Sequence, residues 1–339
     1  MTQTPSSSPA SVLQLVTDYP TAQVLHVAAQ LRLADLLAAG PQRIEDLAAG
    51  TGTHAPALAR FLRMLAALGV VAQEADGRIS LTPVGAPLCA GVPGSVRDRV
   101  LFLAGDWYWR TWGSLLHSVQ TGKPAFDHIF GMSNFDYWKH HAEAGIVHDA
   151  YFTALAQDTT ASLVSAYDFG QFGTVADIGG SQGPLLAAIL AANPGVRGIL
   201  FDLPRVVAGA PAVLAAAGVE DRCTVVGGDF FTSVPAGADA YILKYIIHDW
   251  DDDRCIAILT KCRQVMPAHG KLLVVELVLP EGDVPHAGKW VDLHMLVMTP
   301  GGRERTASDV RSLLAESGFE LQRVSPTRLP FSILEGRPG

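Results

Sequence analysis

Ionisable residues are concentrated in the segment LKYIIHDWDDDRC, residues 243–255, where His248 and Asp249 directly follow a run of apolar and β-branched residues. Three more aspartates come after them. This pattern allows three chemistries: a metal site, an acidic helix cap, or a general base at the edge of a sheet. A helix predicted to begin at Asp251 accounts for the three aspartates through capping and the helix dipole. His248 then remains as the candidate base, and no metal site is expected.

Two glutamates are candidate partners of this histidine. Glu276 stands within the apolar run KLLVVELVL, where a buried carboxylate is costly unless it is paired. A protonated His248 on the neighbouring strand is its expected partner. Glu304, in the segment GGRERT, could reach the same ring or could form an ion pair with Arg303 or Arg305.

A glycine-rich turn lies in VADIGGSQG, which places Gly179, Gly180 and Gly183 between a predicted strand and a predicted helix. Glycines there allow a tight turn and a close approach of a ligand to the backbone, and the helix N-terminus offers free N–H groups. Asp202 follows at the end of the next predicted strand, where a carboxylate can accept hydrogen bonds from ribose hydroxyls. These features predict a nucleoside-bearing cofactor.

The spacing around the turn bears on which nucleoside is bound. From Asp177 to Gly183 the pattern is D-x-G-x-S-x-G and not the G-x-G-x-x-G of pyrophosphate binders. Asp177 suits a cofactor that carries an ammonium group. Asp229 and Phe230, in GGDFF, supply a carboxylate and a ring for the amino edge and the face of adenine. S-adenosylmethionine meets these demands, and a nicotinamide dinucleotide is the alternative.

These residues lie at the predicted ends of short β-rich runs that alternate with helical segments from Tyr167 onward. The runs are TVADI, GILFDL, CTVVGGDF, DAYILKYIIH and GKLLVVELVL. Such alternation predicts βαβ units and a parallel, doubly wound sheet. Ligands of such sheets bind outside the carboxyl ends of the strands. The predicted fold class is α/β, with a Rossmann-like catalytic domain over residues 166–339.

The N-terminal part predicts a different architecture. Residues 21–40 have apolar positions at helical spacing up to Gly40, and RIEDLAAGTG and HAPALARFLRMLAALGV predict two further helices. VVAQEADGRISLTPVG predicts a hairpin around Asp76-Gly77. These elements make a winged helix over residues 11–100, after a disordered tail over residues 1–10.

A winged helix raises the possibility of DNA binding, which the charge of this region argues against. The first hundred residues carry seven Arg, no Lys and seven Asp or Glu, so they create no net positive field for phosphates. The predicted recognition helix offers Arg60 and Arg63 among Ala, Leu, Phe and Met, a composition that suits a protein interface. Homodimerisation is the favoured function of this domain.

Residues 101–165 predict a helical linker region that is rich in aromatic residues. Trp107, Trp109, Trp112 and Trp138 fall there. These side chains either form a helical core or line a pocket for a flat aromatic ligand.

Bulk composition excludes several classes of protein. The 339 residues carry a formal net charge of -8, which argues against a nucleic-acid partner. No uninterrupted apolar run is long enough to span a bilayer, and the N-terminus lacks the features of a signal peptide. Four cysteines without C-x-x-C spacing indicate free thiols. We expect a cytoplasmic enzyme.

The ordered set ADIGGSQG, FDLPRV, GDFF, LKYIIHDWDDD, VVELVLP and GGRERT resembles the S-adenosylmethionine-dependent small-molecule O-methyltransferases of the caffeate and isoflavone type and their bacterial relatives. The resemblance covers nearly the whole chain after the tail, including the winged-helix dimerisation domain. One departure is Ser181, which stands where the family usually has a third consecutive glycine.

The resemblance implies roles for individual residues. His248 is the implied base, flanked by Glu276 and Glu304. The cofactor-binding residues expected from the glycine turn and from the resemblance are Asp177, Gly179, Gly180, Gly183, Asp202, Leu203, Asp229, Phe230, Lys244, Asp249 and Trp250. The expected substrate pocket comprises Trp107, Trp138, Asp292, His294, Met295, Met298 and Thr299, where relatives often carry Asn at position 299.

Acid–base chemistry then favours an aromatic hydroxyl as acceptor. Ionising a phenol with a pKa of about 10 at pH 7 costs about 4 kcal/mol, and a positioned base contributes about 3–5 kcal/mol. An aliphatic alcohol would cost on the order of 12 kcal/mol. Three alternatives remain: a related enzyme that uses the cofactor in hydroxylation, decarboxylation or cyclisation, a ligand-sensing winged-helix regulator, and a nicotinamide dehydrogenase.

Overall fold

The computed structural model describes Leu13, Val16 and residues 19–339, and these fall into two compact units. The first unit comprises the described residues up to Arg110 together with residues 141–151. The second comprises residues 111–140 and 152–339. The tail predicted over residues 1–10 lies outside the described residues.

The first unit is mostly helical with one hairpin, and strands alternate with helices in the second unit from Thr174 onward. From residue 19 onward the helices are α1 (Tyr19–Gln30), α2 (Leu33–Ala38), α3 (Ile44–Thr51), α4 (Ala55–Ala67), α5 (Arg97–Leu103), α6 (Asp106–Gly113), α7 (Leu115–Thr121), α8 (Ala125–Phe130), α9 (Asn134–His140), α10 (Ala142–Ala166), α11 (Pro184–Ala192), α12 (Pro204–Val207), α13 (Ala210–Ala216), α14 (Asp252–Val265), α15 (Gly288–Met298) and α16 (Ala307–Glu316). The strands are β1 (Val71–Gln73), β2 (Ile79–Leu81), β3 (Thr174–Ile178), β4 (Arg197–Asp202), β5 (Cys223–Gly227), β6 (Ala240–Lys244), β7 (Lys271–Glu276), β8 (Val278–Leu279), β9 (Arg305–Thr306), β10 (Phe319–Pro326) and β11 (Ser332–Pro338).

The first unit contains the helices and the hairpin of a winged helix. β1 and β2 pair antiparallel, as the Asp76-Gly77 signal predicts, and α3 and α4 match the two predicted helices. The single helix predicted over residues 21–40 is wrong, because the chain breaks into α1 and α2. Arg32 lies at the break with φ 53°, a left-handed conformation that ends a helix and that non-glycine residues adopt rarely.

A seven-stranded sheet forms the centre of the second unit, in the order β10-β11-β7-β6-β3-β4-β5. Its five neighbouring strands β7, β6, β3, β4 and β5 are parallel, as the alternating pattern predicts. β10 and β11 add an antiparallel hairpin beside β7, so the sheet is mixed and not wholly parallel.

Both faces of this sheet are buried. Leu272 and Val274 of β7 lie in one hydrophobic cluster and Leu273 and Val275 in another, because successive side chains of a strand point to opposite faces. Continuous apolar strands are typical of parallel sheets that are covered on both sides. The polar residues at the strand ends are therefore held by a rigid core.

Four parallel strands carry candidate site residues at or near their carboxyl ends, which lie along one edge. β3 carries Asp177, β4 ends at Asp202, β6 at Lys244 and β7 at Glu276. Two boundaries differ from the prediction. His248 does not end its strand but lies in a 3₁₀ turn, Ile247–Asp249, and Glu276 is the last residue of β7 instead of an interruption within it.

A small second sheet brings the GGRERT segment to this edge. β8 pairs parallel with β9, and Val278 faces Arg305 in the register. Since Val278 comes two residues after Glu276, this pairing brings Glu304 close to the end of β7.

None of the helices that the structure describes is both long enough and apolar enough to cross a membrane.

Candidate active site

The turn that follows β6 binds the carboxylate of Glu276 through its backbone. Glu276 Oε1 accepts hydrogen bonds from the N–H groups of Ile246 (3.1 Å), Ile247 (3.1 Å) and His248 (3.4 Å). Successive N–H groups that converge in this way form an anion-binding nest. The backbone dipoles thus compensate the negative charge of Glu276, in addition to the protonated His248 that the sequence predicts as its partner.

His248 is oriented by Glu304. Its Nδ1 donates a hydrogen bond to Glu304 Oε1 at 2.8 Å, and it lies 3.7 Å from Glu276 Oε2. Its Nε2 lies 3.7 Å from Asp249 Oδ1. A histidine whose one ring nitrogen is engaged with a carboxylate has its tautomer and its ring plane set by that contact. Glu304 therefore pairs with His248 and not with Arg303 or Arg305, the alternative that the sequence left open.

The cluster carries an excess of negative charge. Among the residues that the structure describes, Glu276 Oε2 and Glu304 Oε2 are buried without a hydrogen-bond partner. Burial on its own lowers the pKa of His248, but the surrounding carboxylates outweigh burial and raise this pKa to about 10; in order of effect they are Glu276, Asp249 and Glu304. Burial also raises the pKa of Glu276 above its usual value, and the charge of His248 opposes this. In the ligand-free protein the imidazole therefore holds a proton at neutral pH.

The same three residues have the donor set of a metal site. One ligand atom from each of His248, Glu276 and Glu304 lies within 4.8 Å of the others, and transition metals use such imidazole and carboxylate groups. Here Nδ1 already donates its proton to Glu304, and one Glu276 oxygen is held by three amides. We infer that the cluster holds a proton on His248, and we expect no metal ion there.

Arg305 fastens the His248 turn to the GGRERT segment. Its side chain is buried and donates to the carbonyl oxygens of Ile247 at 2.7 Å and Trp250 at 2.8 Å, and it pairs with Asp252 at 2.7 Å. Arg303 also pairs with Asp252, at 2.7 Å. Both arginines of the motif are therefore used in holding the turn, which leaves Glu304 for His248.

The second glycine of the motif allows a close approach of the two segments. A Cβ on Gly302 would lie 2.7 Å from the His248 carbonyl oxygen and 2.2 Å from Thr299 Oγ1. The next residue, Arg303, donates its N–H to the same His248 carbonyl at 2.8 Å. A side chain at position 302 would separate the loop from His248.

The aspartates after Trp250 begin α14. The Asp251 side chain accepts a hydrogen bond from the Arg254 N–H at 2.9 Å, which is an N-terminal cap. The capping interpretation of these aspartates is confirmed.

The glycine turn is shaped by close contacts. Gly179 has φ 72° and Gly183 has φ 85°, conformations that favour glycine. A Cβ on Gly180 would lie 2.6 Å from Asp177 Cγ. The turn therefore leaves the backbone bare beside a buried carboxylate.

Most N–H groups of this turn bind protein acceptors. Gly179 and Gly180 donate to the Phe201 carbonyl at 2.8 and 3.2 Å, and Ser181 donates to Asp202 Oδ2 at 2.8 Å. These three N–H groups are therefore engaged within the protein. Ser181 itself has φ 56°, so it adopts the left-handed conformation that the family's usual glycine would adopt freely.

Asp177 and Lys244 form the charged part of the cofactor region. Burial raises the pKa of Asp177 to about 7, Lys244 opposes this and Asp202 adds to it. Burial lowers the pKa of Lys244, and the charges of Asp177 and Glu276 oppose that shift. Lys244 thus interacts with both the cofactor region and the acid–base cluster.

Two further carboxylates lie at the ends of neighbouring strands. Asp202 Oδ1 accepts the Leu203 N–H at 2.7 Å, and Asp229 Oδ1 accepts the Phe231 N–H at 2.9 Å. These short bonds fix the orientation of both carboxylates.

Phe230 and Trp250 belong to one aromatic group. Their ring centroids lie 6.2 Å apart in an edge-on arrangement, and Phe231 packs against Trp250 at 4.9 Å. An added Cβ on Gly179 would lie 3.7 Å from Phe230. Phe230 therefore lies next to the glycine turn.

One end of the predicted acceptor pocket is linked to the cluster. Asp292 Oδ1 accepts the Glu304 N–H at 3.0 Å. Burial, and after it the charge of His248, lower the pKa of His294 to about 4. His294 is thus neutral, and its ring stacks on Trp112 with centroids 6.4 Å apart.

The remaining predicted pocket residues are more scattered. Met295, Met298 and Thr299 are buried at the end of α15, and the Thr299 hydroxyl donates to the Met295 carbonyl at 2.9 Å. Trp138 packs against Phe126 and Tyr137. Trp107 belongs to the first unit, where its indole N–H donates to the Phe102 carbonyl at 3.1 Å. The structure therefore joins Asp292 and His294 to the cluster but assigns packing contacts to Trp107 and Trp138.

The sequence reasoning missed the contacts of three residues at the site. Trp112, predicted to belong to a helical core or to line a pocket, stacks on His294, Arg305 fastens the His248 turn, and Tyr245 stacks on His248 with centroids 5.6 Å apart. Trp112 stands in the aromatic segment that the sequence does reveal. No sequence signal identifies the other two, because their roles depend on segments far apart in the chain.

The residues at the strand ends fit S-adenosylmethionine. Its ammonium group can pair with the buried Asp177 carboxylate, and its ribose hydroxyls and adenine need the carboxylates and the ring found at the ends of β4 and β5. Glycine is required at positions 179 and 180 by the fold of the turn, since a Cβ would meet Ile246 at the first and Asp177 and Leu200 at the second.

Comparisons with known proteins agree with this fit. Residues 112–320 match the family model of the O-methyltransferase domain, and residues 13–90 match that of the O-methyltransferase dimerisation domain. The phenazine O-methyltransferase of Lysobacter antibioticus is 51% identical over 96% of this chain and 95% of its own length. The O-demethylpuromycin O-methyltransferase of Streptomyces alboniger is 42% identical over 96% and 88%. A phenazine-1-carboxylate N-methyltransferase of Pseudomonas aeruginosa is 31% identical over 93% and 92%.

Solved structures show the same fold with the methyl donor bound. An O-methyltransferase from neocarzinostatin biosynthesis, in complex with S-adenosylmethionine and 2-hydroxy-5-methyl naphthoic acid, superposes with a TM-score of 0.83 at 31% identity, over 96% of this chain and 98% of that one. The chain belongs to the O-methyltransferase family and is an S-adenosylmethionine-dependent methyltransferase.

Proposed function

We propose that the protein transfers a methyl group from S-adenosylmethionine to a phenolic hydroxyl of a planar aromatic secondary metabolite, with His248 as general base. The observation that carries this proposal is the 2.8 Å hydrogen bond from His248 Nδ1 to Glu304. It orients the imidazole and leaves Nε2 as the nitrogen that accepts the proton of the acceptor.

The cofactor roles follow from the strand ends. Asp177 would pair with the ammonium group, Asp202 with the ribose, and Asp229 and Phe230 with the adenine. Lys244, Leu203, Asp249 and Trp250 would complete the pocket beside Gly179, Gly180 and Gly183. When bound, S-adenosylmethionine supplies an electrophilic methyl group on a positively charged sulfur.

The carboxylates around His248 make the proton transfer inexpensive. An unperturbed histidine, with a pKa of about 6.5, would accept the proton of a phenol at a cost of about 5 kcal/mol, at 1.36 kcal/mol per unit. The raised pKa of His248, about 10, matches that of a phenol, so the transfer from the phenol to a neutral imidazole is nearly balanced, and the remaining cost is that of forming the neutral imidazole at neutral pH. An aliphatic alcohol, with a pKa near that of water at about 15.7, still leaves about 8 kcal/mol.

His248 must release its resting proton before it can act as a base. A second positive charge in the site lowers its pKa by Coulomb repulsion, so the base becomes available when the donor is bound. In the catalytic complex the fraction of neutral His248 increases with pH, and we expect turnover to rise with it.

The base distinguishes hydroxyl from amino acceptors. A neutral aromatic amine can attack a methyl group before it loses a proton, whereas a phenol needs its proton removed. A base that is oriented by a buried carboxylate therefore favours O-methylation over N-methylation.

The acceptor would lie against α15 and Trp112. Asp292, His294, Met295, Met298 and Thr299 are the candidate contacts on α15 and its end, and the phenazine and puromycin relatives support a large aromatic acceptor. Trp107 and Trp138 remain candidate contacts of the acceptor, and the contacts observed for both serve packing.

The match of residues 13–90 to a dimerisation domain supports a homodimer. The balanced charge of this region, together with that match, supports an interface between subunits and no contact with nucleic acid. We propose a cytoplasmic enzyme.

Matched acceptors test the reaction. We expect 1-hydroxyphenazine, incubated with S-adenosylmethionine and the enzyme in the presence of EDTA, to gain one methyl group, and 1-aminophenazine to react much more slowly. Mass spectrometry measures both products. Faster methylation of the amine, or no methylation of any member of a wider panel of phenolic polyketides and phenylpropanoids, would contradict the proposal.

Binding of S-adenosylhomocysteine tests the role of Asp177. The raised pKa of Asp177, about 7, means that its carboxyl group is largely protonated at lower pH in the ligand-free protein. Pairing with the ammonium requires the ionised form, so affinity should fall as pH decreases below about 7, by up to tenfold per pH unit, and level off above it. Calorimetry measures the affinity for S-adenosylhomocysteine at pH values from about 5.5 to about 7.5, which lie on both sides of the raised pKa of Asp177.

The matched control is Asp177→Asn, which cannot titrate. We expect weaker binding that varies little over the same pH range. A pH dependence of equal size in this variant would assign the titration to another group.

A further inference from the structure

Tyr245 has an unusual backbone conformation at the end of β6. Its φ is 55°, in the left-handed region, where bulky non-glycine residues are rare outliers. Such strain persists only when the surrounding structure holds it, and it clusters at functional sites. The Tyr245 N–H still donates to the Val275 carbonyl at 3.1 Å, so the sheet holds the residue from one side.

This conformation redirects the chain toward Glu276. Tyr245 is left-handed, and Ile246, with φ −112° and ψ −53°, is right-handed. A left-handed residue followed by a right-handed one turns consecutive N–H groups to the same side. The next three N–H groups then converge on Glu276 Oε1. An extended conformation at position 245 would point alternate N–H groups in opposite directions.

The ring of Tyr245 contacts the base itself. It stacks on the His248 imidazole with centroids 5.6 Å apart and an interplanar angle of 22°. The edge of Phe331 packs against the Tyr245 ring at 6.0 Å, and Lys244 Nζ lies 4.8 Å from its centroid. The ring is therefore held between the core and the imidazole.

We infer that Tyr245 is a positioning residue of the transfer reaction: its left-handed backbone forms the nest for Glu276, and its ring holds the plane of His248 against Glu304. The inference rests on His248 being the base. It adds that a strained aromatic residue beside the base sets the geometry of both glutamates.

Several charged or titratable groups face His248 and share control of its proton. They are Asp249 on the same turn, Lys244 at the end of β6, Glu276 at the end of β7, Glu304 before β9, and His294 on α15. Tyr245 contributes the face of a ring, which stabilises an adjacent cation. Its removal changes one contact of the imidazole and leaves these groups in place.

The first experiment needs no acceptor. In the S-adenosylhomocysteine complex of the full-length protein, the proton between His248 Nδ1 and Glu304 should give a downfield ¹H resonance, assigned by its loss in His248→Ala. We expect Tyr245→Phe to retain this resonance and Tyr245→Leu to broaden or lose it. Retention in the Leu variant at full intensity would overturn the inference.

Kinetics with 1-hydroxyphenazine provide the second readout. For Tyr245→Leu we expect kcat to fall by about tenfold to a hundredfold, the effect typical of a misplaced catalytic group, while the acceptor KM and the affinity for S-adenosylhomocysteine stay within about twofold. The rise of kcat with pH should shift to lower pH by about half to one unit, because the cation loses the ring face. Tyr245→Phe should restore both kcat and its pH dependence to the wild-type values.

A glycine variant separates the backbone from the ring. Tyr245→Gly accepts the left-handed conformation without strain, so its unfolding temperature should be at least as high as that of Tyr245→Leu. Because it lacks the ring, it should lose the downfield resonance, as Tyr245→Leu does. If instead only the unfolding temperatures change, and the resonance and pH profile match the wild type in all variants, Tyr245 has a purely structural role. Full turnover in His248→Ala would contradict the base assignment, whatever the Tyr245 variants do.

Discussion

Replacing His248 by alanine should lower kcat for phenolic acceptors by about 10²–10⁴-fold, the contribution typical of a positioned general base. The variant loses the nitrogen that accepts the proton, and it leaves Glu276 and Glu304 without the cation that they surround. Binding of S-adenosylhomocysteine should change little, because the imidazole of His248 is not among its proposed contacts. Initial rates at saturating donor, combined with calorimetry, measure the two effects separately.

The matched control is His269→Ala. His269 is exposed and bonds to Asp239 at 3.1 Å. Asp239 directly precedes β6, so this pair lies at the opposite edge of the sheet from His248. We expect this variant to keep wild-type turnover. A second comparison uses 1-aminophenazine, whose slow methylation should not depend on His248. Undiminished methylation of the phenol by His248→Ala would show that another group removes the proton.

The second large effect is expected at the glycine turn. Gly180→Ala introduces a Cβ at 2.6 Å from Asp177 Cγ and 2.7 Å from Leu200 Cδ1. The short side chain of Asp177 has little freedom to move away, so its carboxylate must shift from the position proposed for the cofactor ammonium. Overpacking of this kind costs about 1–3 kcal/mol, and we expect the affinity for S-adenosylhomocysteine to fall by about tenfold to a hundredfold.

Gly195→Ala is the matched control for this variant. A Cβ there has nothing within 4 Å, and Gly195 lies in the turn between α11 and β4, so affinity should stay at the wild-type value. Circular dichroism checks that both variants fold. Should Gly180→Ala fail to fold, Asp177→Asn carries the same test. Equal affinity in Gly180→Ala and the wild type would remove Asp177 from the proposed cofactor site.

The order of the motifs was enough to predict the architecture of the second unit. Short β-rich runs that alternate with helical segments predict parallel strands, and the carboxyl ends of such strands meet at one edge. Asp177 and Asp202 were placed at this edge for that reason, whereas Lys244 came from the family resemblance and Glu276 was predicted within its strand. The antiparallel hairpin of β10 and β11 was not predicted, and after Phe319 the residues of β10 are mostly exposed.

Local backbone conformation was harder to predict. The break between α1 and α2 and the end of β6 both occur at a non-glycine residue with positive φ, Arg32 and Tyr245. Nothing in the identity of either residue signals this, because arginine and tyrosine favour extended or right-handed conformations. The conformations are imposed by contacts with other parts of the chain.

The partner of Glu304 shows the same limit. From the sequence it could pair with His248 or with the arginines beside it. The pairing of β8 with β9 and the ion pairs of Arg303 and Arg305 with Asp252 decide the matter, since they occupy both arginines. A choice among neighbouring charges depends on distances that sequence spacing does not contain.

By itself the sequence determined the chemical groups of this protein and the edge of the sheet at which they meet, because hydrophobic periodicity and strand order are local properties of the chain. Tertiary structure alone decided which of these groups touch. The orientation of His248 arises from Glu304, Tyr245 and the amide nest of Glu276, which come from three separate segments. Contacts of this kind depend on packing between distant residues, and packing is a property of the folded chain.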